Sequence, residues 1–345
     1  MERSAAVDDQ QAVIAFLSRP ESYGAAGPVE RIDTHGAIVF LAGERAYKLK
    51  RAVRYSYLDF SDAAKRKAVC EAELALNRRT APELYLDLRS VNRMADGRLG
   101  FGAKGDGEGT PVDWLVVMRR FDGANLLAAV AARGDLHAGL VRSLADHIAA
   151  FHESAEIRQG GGGAQRVRAV IEGNRASMAA LPAGSLPQAD CLALHERSMA
   201  ELERLTDLLD RRAASGHVRH CHGDLHLANI CLWQGRPLLF DCLEFDAELA
   251  TTDVLYDLAF LIMDLWEKGY RAQASLVFNR YLDMRGEGEA WPPCRCSFPC
   301  ARRCAPMSGR RRRRCVRGKG ARRGCRRHAI IWLRRWPFWI ARRPG

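Results

Sequence analysis

The chain has 345 residues and a formal net charge of +12, and this length allows one large or two modest domains. The charge is uneven: residues 291–345 hold seventeen arginines, one lysine and no aspartate or glutamate, so residues 1–290 carry −6. No apolar run approaches the roughly 20 residues that span a bilayer, and the first residues lack the basic and apolar regions of a signal peptide. We therefore expect a cytoplasmic protein with no membrane partner.

The N-terminal part predicts an antiparallel sheet with helices beside it. Apolar residues at helical spacing over residues 10–18 indicate a short helix. The runs Ala37–Ala42 and Ala46–Arg51 flank a glycine-containing turn and predict two strands. A helix follows over residues 62–79, for which Ser61 is the candidate N-cap.

Further strands and then helices complete the predicted order. Leu84–Leu88 and Trp114–Met118 predict strands on either side of a glycine-rich turn at Gly97–Gly109. The helical pattern recurs over residues 140–152, 164–180, 189–213 and 250–267. We interpret His152, within the first of these helices, as a packed structural histidine. This order predicts an α+β fold in which a small sheet precedes a larger helical part.

The most specific pattern lies in residues 222–229, His-Gly-Asp-Leu-His-Leu-Ala-Asn, and in residues 238–241, Leu-Leu-Phe-Asp. Asn229 follows Asp224 by five positions, and Asp241 follows it by seventeen. Phosphoryl transfer uses such a set, because one carboxylate takes the proton of the attacking hydroxyl group while an amide oxygen and a second carboxylate hold Mg²⁺.

A hairpin is predicted between the last two of these residues. Asn229–Trp233 and Leu238–Asp241 are apolar runs, and the Gln-Gly-Arg-Pro sequence of residues 234–237 indicates the turn between them. The hairpin would bring Asn229 and Asp241 to the same end.

The pattern His-Gly-Asp-Leu-His-x-x-Asn with a downstream Phe-Asp resembles the aminoglycoside phosphotransferase and choline kinase group of kinase-like enzymes. Leu243-Glu244-Phe245-Asp246 and Tyr47-Lys48-Leu49-Lys50-Arg51 look like one branch, in which a P-loop ATP-binding domain normally follows. The resemblance covers residues 10–285. It implies a two-lobed protein-kinase-like fold, with a nucleotide-binding lobe at residues 1–120 and a helical catalytic lobe at residues 121–290.

The resemblance also implies a role for each residue of the motif. Asp224 would accept or orient the proton of a substrate hydroxyl group, and His222 would hold the loop through its ring nitrogens. Asn229 and Asp241 would bind Mg²⁺, which prefers oxygen ligands. The cofactors implied are Mg²⁺ and ATP or GTP.

Nucleotide binding is assigned to the first lobe. In kinases a strand lysine contacts the α- and β-phosphates and pairs with a helix glutamate. Either Lys48 or Lys50 fits, and we favour Lys48 because it ends an Ala-x-Lys pattern. The candidate partners are Glu71 and Glu73, of which we favour Glu71. Met118 would begin the hinge that binds adenine.

Residues 291–345 differ from the rest of the chain. They are rich in arginine, cysteine and tryptophan and include five consecutive arginines, Arg310–Arg314. We favour a tail that is read out of frame or is otherwise aberrant, because its onset is abrupt. The alternatives are a disordered basic arm that binds nucleic acid and a metal module using Cys294, Cys296, Cys300 and Cys304, whose spacing lacks paired Cys-x-x-Cys motifs.

Three functions follow from these observations. We favour an ATP- or GTP- and Mg²⁺-dependent phosphotransferase that acts on a hydroxyl group of a small molecule, because a scaffold does not need the base Asp224. The alternatives are a nucleotide-binding, kinase-like regulatory domain of a lost P-loop partner domain, and a nucleic-acid-binding protein that acts through the basic tail. The acidic charge of residues 1–290 argues against a nucleic-acid partner. The sequence determines neither the acceptor nor the oligomeric state.

Overall fold

The computed structural model describes residues 9–24, 27–55, 58–102, 109–181 and 185–286. The interpretations of residues 291–345 lie outside the described residues. The described chain forms two compact units, one built from residues up to 137 together with 222–250 and the other from 138–221 together with 251–286. The lobe boundaries expected at residues 120 and 290 stay a prediction, and the motif segment 222–250 belongs to the unit that contains the sheet.

A six-stranded antiparallel sheet is the framework of the first unit. In spatial order its strands are β1 (Glu30–Asp33), β2 (Ala37–Ala42), β3 (Arg45–Lys50), β8 (Thr110–Arg119), β6 (Tyr85–Arg93) and β7 (Leu99–Phe101). A separate short hairpin joins β4 (Arg54–Tyr55) to β5 (Leu58–Asp59). The four predicted strands of this part are confirmed. The prediction of a turn over Gly97–Gly109 is wrong for Leu99–Phe101, because those residues form β7 and pair with β6, and its part over residues 103–108 lies outside the described residues.

Helices cover both faces of the sheet. On one face α1 (Gln11–Leu17) packs against a cluster that includes Phe40. On the other face α2 (Ala63–Asn77) contributes to a cluster that includes Ala46 and Val116. Because side chains two positions apart share a face of a strand, the two lysines of β3 lie with Ala46 on the α2 side.

The N-cap of α2 is Asp62, and the prediction of Ser61 is wrong. The Asp62 backbone is extended, and its carboxylate accepts the Lys65 N–H at 2.9 Å. The Ser61 hydroxyl instead lies 3.0 Å from Lys65 Nζ, which donates to it. A carboxylate at the N-cap satisfies one of the N–H groups that the first helical turn leaves without an intrahelical partner.

A buried ion pair joins α2 to β8. Arg66 donates from Nε and Nη2 to the two carboxylate oxygens of Asp113, at 2.8 and 3.0 Å, and both side chains are 1% exposed. Gln10 donates from Nε2 to the same carboxylate at 2.7 Å and to the Lys50 carbonyl oxygen at 2.9 Å. Removal of one partner from a buried ion pair leaves the other charge uncompensated. This network therefore holds α2 in a fixed position against the strands that carry the lysines.

The motif segment adds a hairpin and short helical pieces to the first unit. The hairpin pairs β10 (Ile230–Trp233) with β11 (Arg236–Leu239), near α3 (Leu127–Ala132), and α7 (Ala247–Ala250) follows. The turn consists of residues 234 and 235, with φ values of 50° and 77°, as a two-residue hairpin turn requires. The predicted four-residue turn is too long, because residues 236 and 237 belong to β11 and pair with residues 233 and 232 of β10.

The second unit is mainly helical. Its elements are α4 (Ala138–Ser154), α5 (Gly163–Ala179), α6 (Gln188–Ala214), β9 (Val218–His220), β12 (Thr251–Asp253), α8 (Val254–Glu267) and α9 (Arg271–Arg285). Helices α4 and α8 pack against α9, α5 packs against α6, and β9 pairs with β12. The helix expected from residue 250 begins at Val254, because Thr251–Asp253 form β12 and Asp253 caps α8 by accepting the Leu255 N–H at 2.8 Å.

His152 connects three helices of the second unit. Its Nδ1 lies 2.8 Å from Tyr281 Oη and its Nε2 lies 3.0 Å from Asp257 Oδ2, and all three side chains are buried. The prediction of a packed histidine is confirmed. Within the described ranges, neither unit contains a helix long and apolar enough to cross a bilayer. The sheet followed by helices confirms the predicted α+β class.

Candidate active site

His222 anchors the loop of residues 222–229. Its Nε2 lies 3.0 Å from the Phe240 carbonyl oxygen, and its Nδ1 lies 3.3 Å from the Asp224 backbone nitrogen. A carbonyl oxygen only accepts and an N–H only donates, so this pairing fits the tautomer with its hydrogen on Nε2. The ring is fully buried. His222 therefore ties the backbone of Asp224 to Phe240, the residue that follows β11.

Gly223 is required by the backbone at this turn. Its φ is +80°, which L side chains rarely adopt, and a Cβ there would lie 2.8 Å from Leu243 Cβ and 3.3 Å from Ala250 Cα. Any other residue would strain the turn and push against the segment that follows Asp241.

Asp224 and Asn229 face each other across the loop. Asn229 Nδ2 donates to the carbonyl oxygen of Asp224 at 3.0 Å and to Oδ2 of the Asp224 side chain at 3.1 Å. His226 Nε2 lies 3.5 Å from the same Oδ2, and the Asp224 side chain keeps 24% of its surface exposed. Because its amide nitrogen is used, Asn229 has Oδ1 as its remaining ligand atom, and this oxygen carries no hydrogen bond within the described residues.

Asp241 leaves the hairpin at the end where Asn229 enters it. The Phe240 N–H donates to the Asn229 carbonyl oxygen at 2.9 Å, which confirms the predicted proximity. Asp241 has a φ of +63°, and its N–H donates to Tyr85 Oη at 3.2 Å. Residues other than glycine rarely take this backbone conformation, and it persists only where the surroundings hold it.

Lys48 lies between two carboxylates. Its Nζ is 2.7 Å from Glu73 Oε1 and 2.5 Å from Asp241 Oδ1. The Glu73 side chain is fully buried, whereas that of Asp241 is 39% exposed. Burial raises the pKa of Asp241, but the charges of Lys48 and Lys50 outweigh it and lower that pKa to about 2. Asp241 is therefore a carboxylate anion at neutral pH.

The prediction that Glu71 pairs with the strand lysine is wrong, because Glu73 is the residue of α2 that pairs with Lys48. The Glu71 side chain is 55% exposed and lies 3.8 Å from Lys67 Nζ on the outer face of α2. Two positions along a helix are separated by roughly 200° of rotation, so only one of the two glutamates can face the sheet. Cys70, Glu73 and Asn77 are buried at helical spacing, and this spacing was the available signal in the sequence.

Lys50 occupies a second position against the same glutamate. Its Nζ is 2.6 Å from Glu73 Oε2 and also forms a hydrogen bond with Glu244 Oε1. Burial lowers the pKa of Lys50, but the charges of Glu244 and Glu73 outweigh it and raise that pKa. Burial raises the pKa of Glu244, although the Lys50 charge opposes this. The sequence analysis did not identify the contact between Lys50 and Glu244, which are 194 positions apart.

Met118 lies near the end of β8 and is buried. The N–H groups of Arg119 and Arg120 donate to carbonyl oxygens of neighbouring segments, at 2.8 and 2.9 Å. Adenine binding along this strand stays a prediction.

The sequence of this chain is similar to known proteins. A model of the family described as "Phosphotransferase enzyme family" matches residues 46–295, which include every residue of the site above. Uncharacterized proteins of Mycobacterium tuberculosis and Mycobacterium bovis are each 32% identical over 236 residues, which is 68% of this chain and 45% of theirs. The chain thus spans less than half the length of these relatives.

Solved structures also resemble this chain at low identity. An aminoglycoside phosphotransferase from Streptomyces rimosus has a TM-score of 0.45 and 20% identity, covering 79% of this chain and 92% of its own. A choline/ethanolamine kinase family protein from Mesorhizobium loti has a TM-score of 0.46 and 18% identity, covering 83% of this chain and 78% of its own.

Proposed function

This chain belongs to the phosphotransferase enzyme family, and we propose that it transfers the γ-phosphoryl group of ATP, with Mg²⁺, to a hydroxyl group of a small molecule. The observation that supports this most is the bridge Glu73–Lys48–Asp241, in the same unit as the Asp224–Asn229 pair. Such a bridge supplies a phosphate-binding cation, while the loop supplies a base and a metal ligand. GTP is the alternative donor.

Asn229 and Asp241 have the chemistry that a magnesium ion requires. Mg²⁺ takes oxygen ligands, usually one or two from protein, with the rest from phosphate and water. Asn229 Oδ1 and Asp241 Oδ2 carry no hydrogen bond in the described part of the chain, and Asp241 is ionised at neutral pH. When bound, the ion would neutralise charge on the nucleotide phosphates.

Lys48 is the proposed phosphate-binding lysine. The fully buried Glu73 fixes the Lys48 ammonium group from the inner side. The other partner of Lys48, Asp241, has a side chain that is 39% exposed. A phosphate oxygen would therefore approach from the Asp241 side. It would replace Asp241 as a partner of Lys48, while the contact between Lys48 and Glu73 stays in place.

Asp224 is the proposed base. As the substrate oxygen bonds to the γ-phosphorus, the bond between that phosphorus and the bridging oxygen breaks, ADP leaves, and the hydroxyl proton passes to Asp224. Asn229 Nδ2 orients one carboxylate oxygen, and the exposed fraction of the side chain gives the substrate access. The acceptor is proposed by class only, as a small-molecule alcohol.

Nucleotide binding without transfer is the second candidate function. It is the function that the resemblance to the branch with a P-loop ATP-binding domain implies, through Tyr47-Lys48-Leu49-Lys50-Arg51 and Leu243-Glu244-Phe245-Asp246. We propose the cytoplasm as the location for either function, because the spacing of Cys70, Cys191, Cys221, Cys231 and Cys242 lacks a disulfide pattern and suits a reducing compartment.

Calorimetry of the full chain with ATP and GTP, with and without Mg²⁺, tests the proposal. Asp241→Asn should abolish metal-dependent binding. Asp224→Asn should keep binding but lower ADP release with an accepted alcohol about 10²–10⁴-fold. The exposed Asp207→Asn is the matched control, with no expected change.

The assay panel for ADP release should include an aminoglycoside, choline and simple sugars. Equal loss of nucleotide binding in Asp224→Asn and Asp241→Asn would contradict the division of roles. Metal-dependent binding without ADP release for any acceptor would favour the second candidate. Absence of binding to the folded wild-type protein would refute both.

A further inference from the structure

Lys50 is buried between two carboxylates and is more enclosed than Lys48. Its side chain is 3% exposed, against 12% for Lys48. Its partners are also enclosed, because the Glu73 side chain is fully buried and that of Glu244 is 10% exposed. A nucleotide phosphate would have to displace a buried carboxylate to reach this ammonium group, which is costly because the displaced charge would lose its partner.

The two lysines connect Glu73 to two points of the segment that carries the metal-binding aspartate. Lys48 bridges Glu73 Oε1 to Asp241, and Lys50 bridges Glu73 Oε2 to Glu244. Each oxygen of this helix carboxylate therefore lies within ion-pair distance of a different lysine, with a hydrogen bond at Oε1 and a contact without hydrogen-bond geometry at Oε2. The second bridge stays in place if a phosphate takes over one contact of Lys48.

Segment 241–244 is held from several sides. Its first three backbone N–H groups donate to Tyr85 Oη, Asn77 Oδ1 and the His222 carbonyl oxygen, at 3.2, 2.9 and 2.9 Å. At its far end the side chain of Glu244 binds Lys50. These contacts hold a backbone that begins in the left-handed region, with a φ of +63°.

We propose that Lys50 is a positioning residue, whose bridge from Glu73 to Glu244 fixes segment 241–244 and with it the carboxylate of Asp241. The proposal rests on the proposed function, since it assigns phosphate contact to Lys48 and metal binding to Asp241. Without Lys50, the buried charges of Glu73 and Glu244 would both depend on Lys48. That lysine would then be drawn away from the nucleotide, and the aspartate would lose its fixed place.

The test is a double-mutant cycle on the full chain, with Lys50→Met, Glu244→Gln and the double variant. The readout is the ratio of ATP affinity with Mg²⁺ to ATP affinity without it, measured by calorimetry, and Mn²⁺ affinity in the presence of ATP. Outer residues that orient metal ligands change metal affinity by about 10–100-fold. Each single variant should therefore lower the ratio at least tenfold, and the double variant no further than the worse single, because both residues act through one bridge.

The exposed pair Lys67–Glu71 on α2 provides the matched control. Lys67→Met and Glu71→Gln make the same chemical changes, but at side chains that are 45% and 55% exposed. They should leave the ratio of ATP affinities with and without Mg²⁺ unchanged. Glu244→Gln keeps the size of the side chain, so it remains informative if Lys50→Met does not fold. Unfolding curves of every variant identify such a case.

Three outcomes would overturn the inference. A large loss in Lys50→Met with wild-type behaviour in Glu244→Gln would make Lys50 a direct phosphate contact. If the fold losses of the two single variants multiply in the double variant, the two residues act separately. If the ratio of ATP affinities is unchanged in both single variants, Lys50 has no positioning role. If the wild-type chain itself shows no metal-dependent ATP binding, the proposed function fails instead.

Discussion

Replacing Asp113 by asparagine should strongly destabilise the first unit, because it removes the carboxylate charge that pairs with the buried Arg66 guanidinium. Both side chains are 1% exposed, and the carboxylate accepts from Arg66 Nε and Nη2 and from Gln10 Nε2. Breaking a buried ion pair costs about 3–5 kcal/mol. Asparagine keeps the shape and one acceptor oxygen, so we expect about 3 kcal/mol, a large share of the roughly 5–15 kcal/mol that stabilises a typical protein.

The assay is urea unfolding at pH 7, followed by far-ultraviolet circular dichroism, for Asp113→Asn, Arg66→Met and the double variant. The double variant leaves no unpaired buried charge from this pair. Its loss of unfolding free energy should therefore be smaller than the sum of the single losses by about 1–3 kcal/mol.

An exposed pair with the same chemistry provides the control. Arg31 donates from Nε and Nη2 to the carboxylate of Asp33 at 2.8 and 2.7 Å, with side chains 42% and 46% exposed. Asp33→Asn should lower the unfolding free energy far less than Asp113→Asn does, since water screens exposed pairs. Equal losses for Asp33→Asn and Asp113→Asn, or additive losses in the double variant, would refute the reasoning.

Further predictions concern the site. Gly223→Ala should lower the unfolding free energy by more than about 1 kcal/mol, because its φ is +80° and the new Cβ would meet Leu243; an unchanged melting temperature would contradict this. Glu73→Gln should weaken binding of ATP with Mg²⁺ in calorimetry, whereas Glu71→Gln should not; the reverse order would argue against the observed lysine partner. The pKa of Asp241 is lowered from 3.8 to about 2, so its contribution to stability is complete above pH 3.8 and lost as the pH falls towards 2. Urea unfolding between pH 5 and pH 2.5 should show this loss in the wild type but not in Asp241→Asn; parallel curves would contradict it.

The sequence alone predicted the part of the site that is contiguous along the chain. Asp224, Asn229 and Asp241 lie within eighteen residues, and a loop and a two-stranded hairpin connect them. Their relative placement depends on local turn geometry and strand pairing, which residue type and spacing encode. The same holds for the two lysines of β3, since alternation along a strand puts them on one face.

Local sequence patterns predicted the ends of helices and strands less well. Ser61 and Asp62 are both good N-cap residues, and only the extended backbone at Asp62 decided between them. The threonines before α8 form a strand because β9 is available to pair with them, a partner that lies more than thirty residues earlier in the chain.

Only the tertiary structure decided which charged groups meet across the first unit. The choice of Glu73 over Glu71 depends on the rotation of α2 about its axis, and the Arg66–Asp113 pair, 47 residues apart in sequence, is one contact that fixes it. The bond of Lys50 to Glu244 spans 194 positions. Ion pairs of this kind form because buried charges require partners, but the partner is whichever opposite charge the packed elements bring within reach, and the spacing of residues along the chain does not record that.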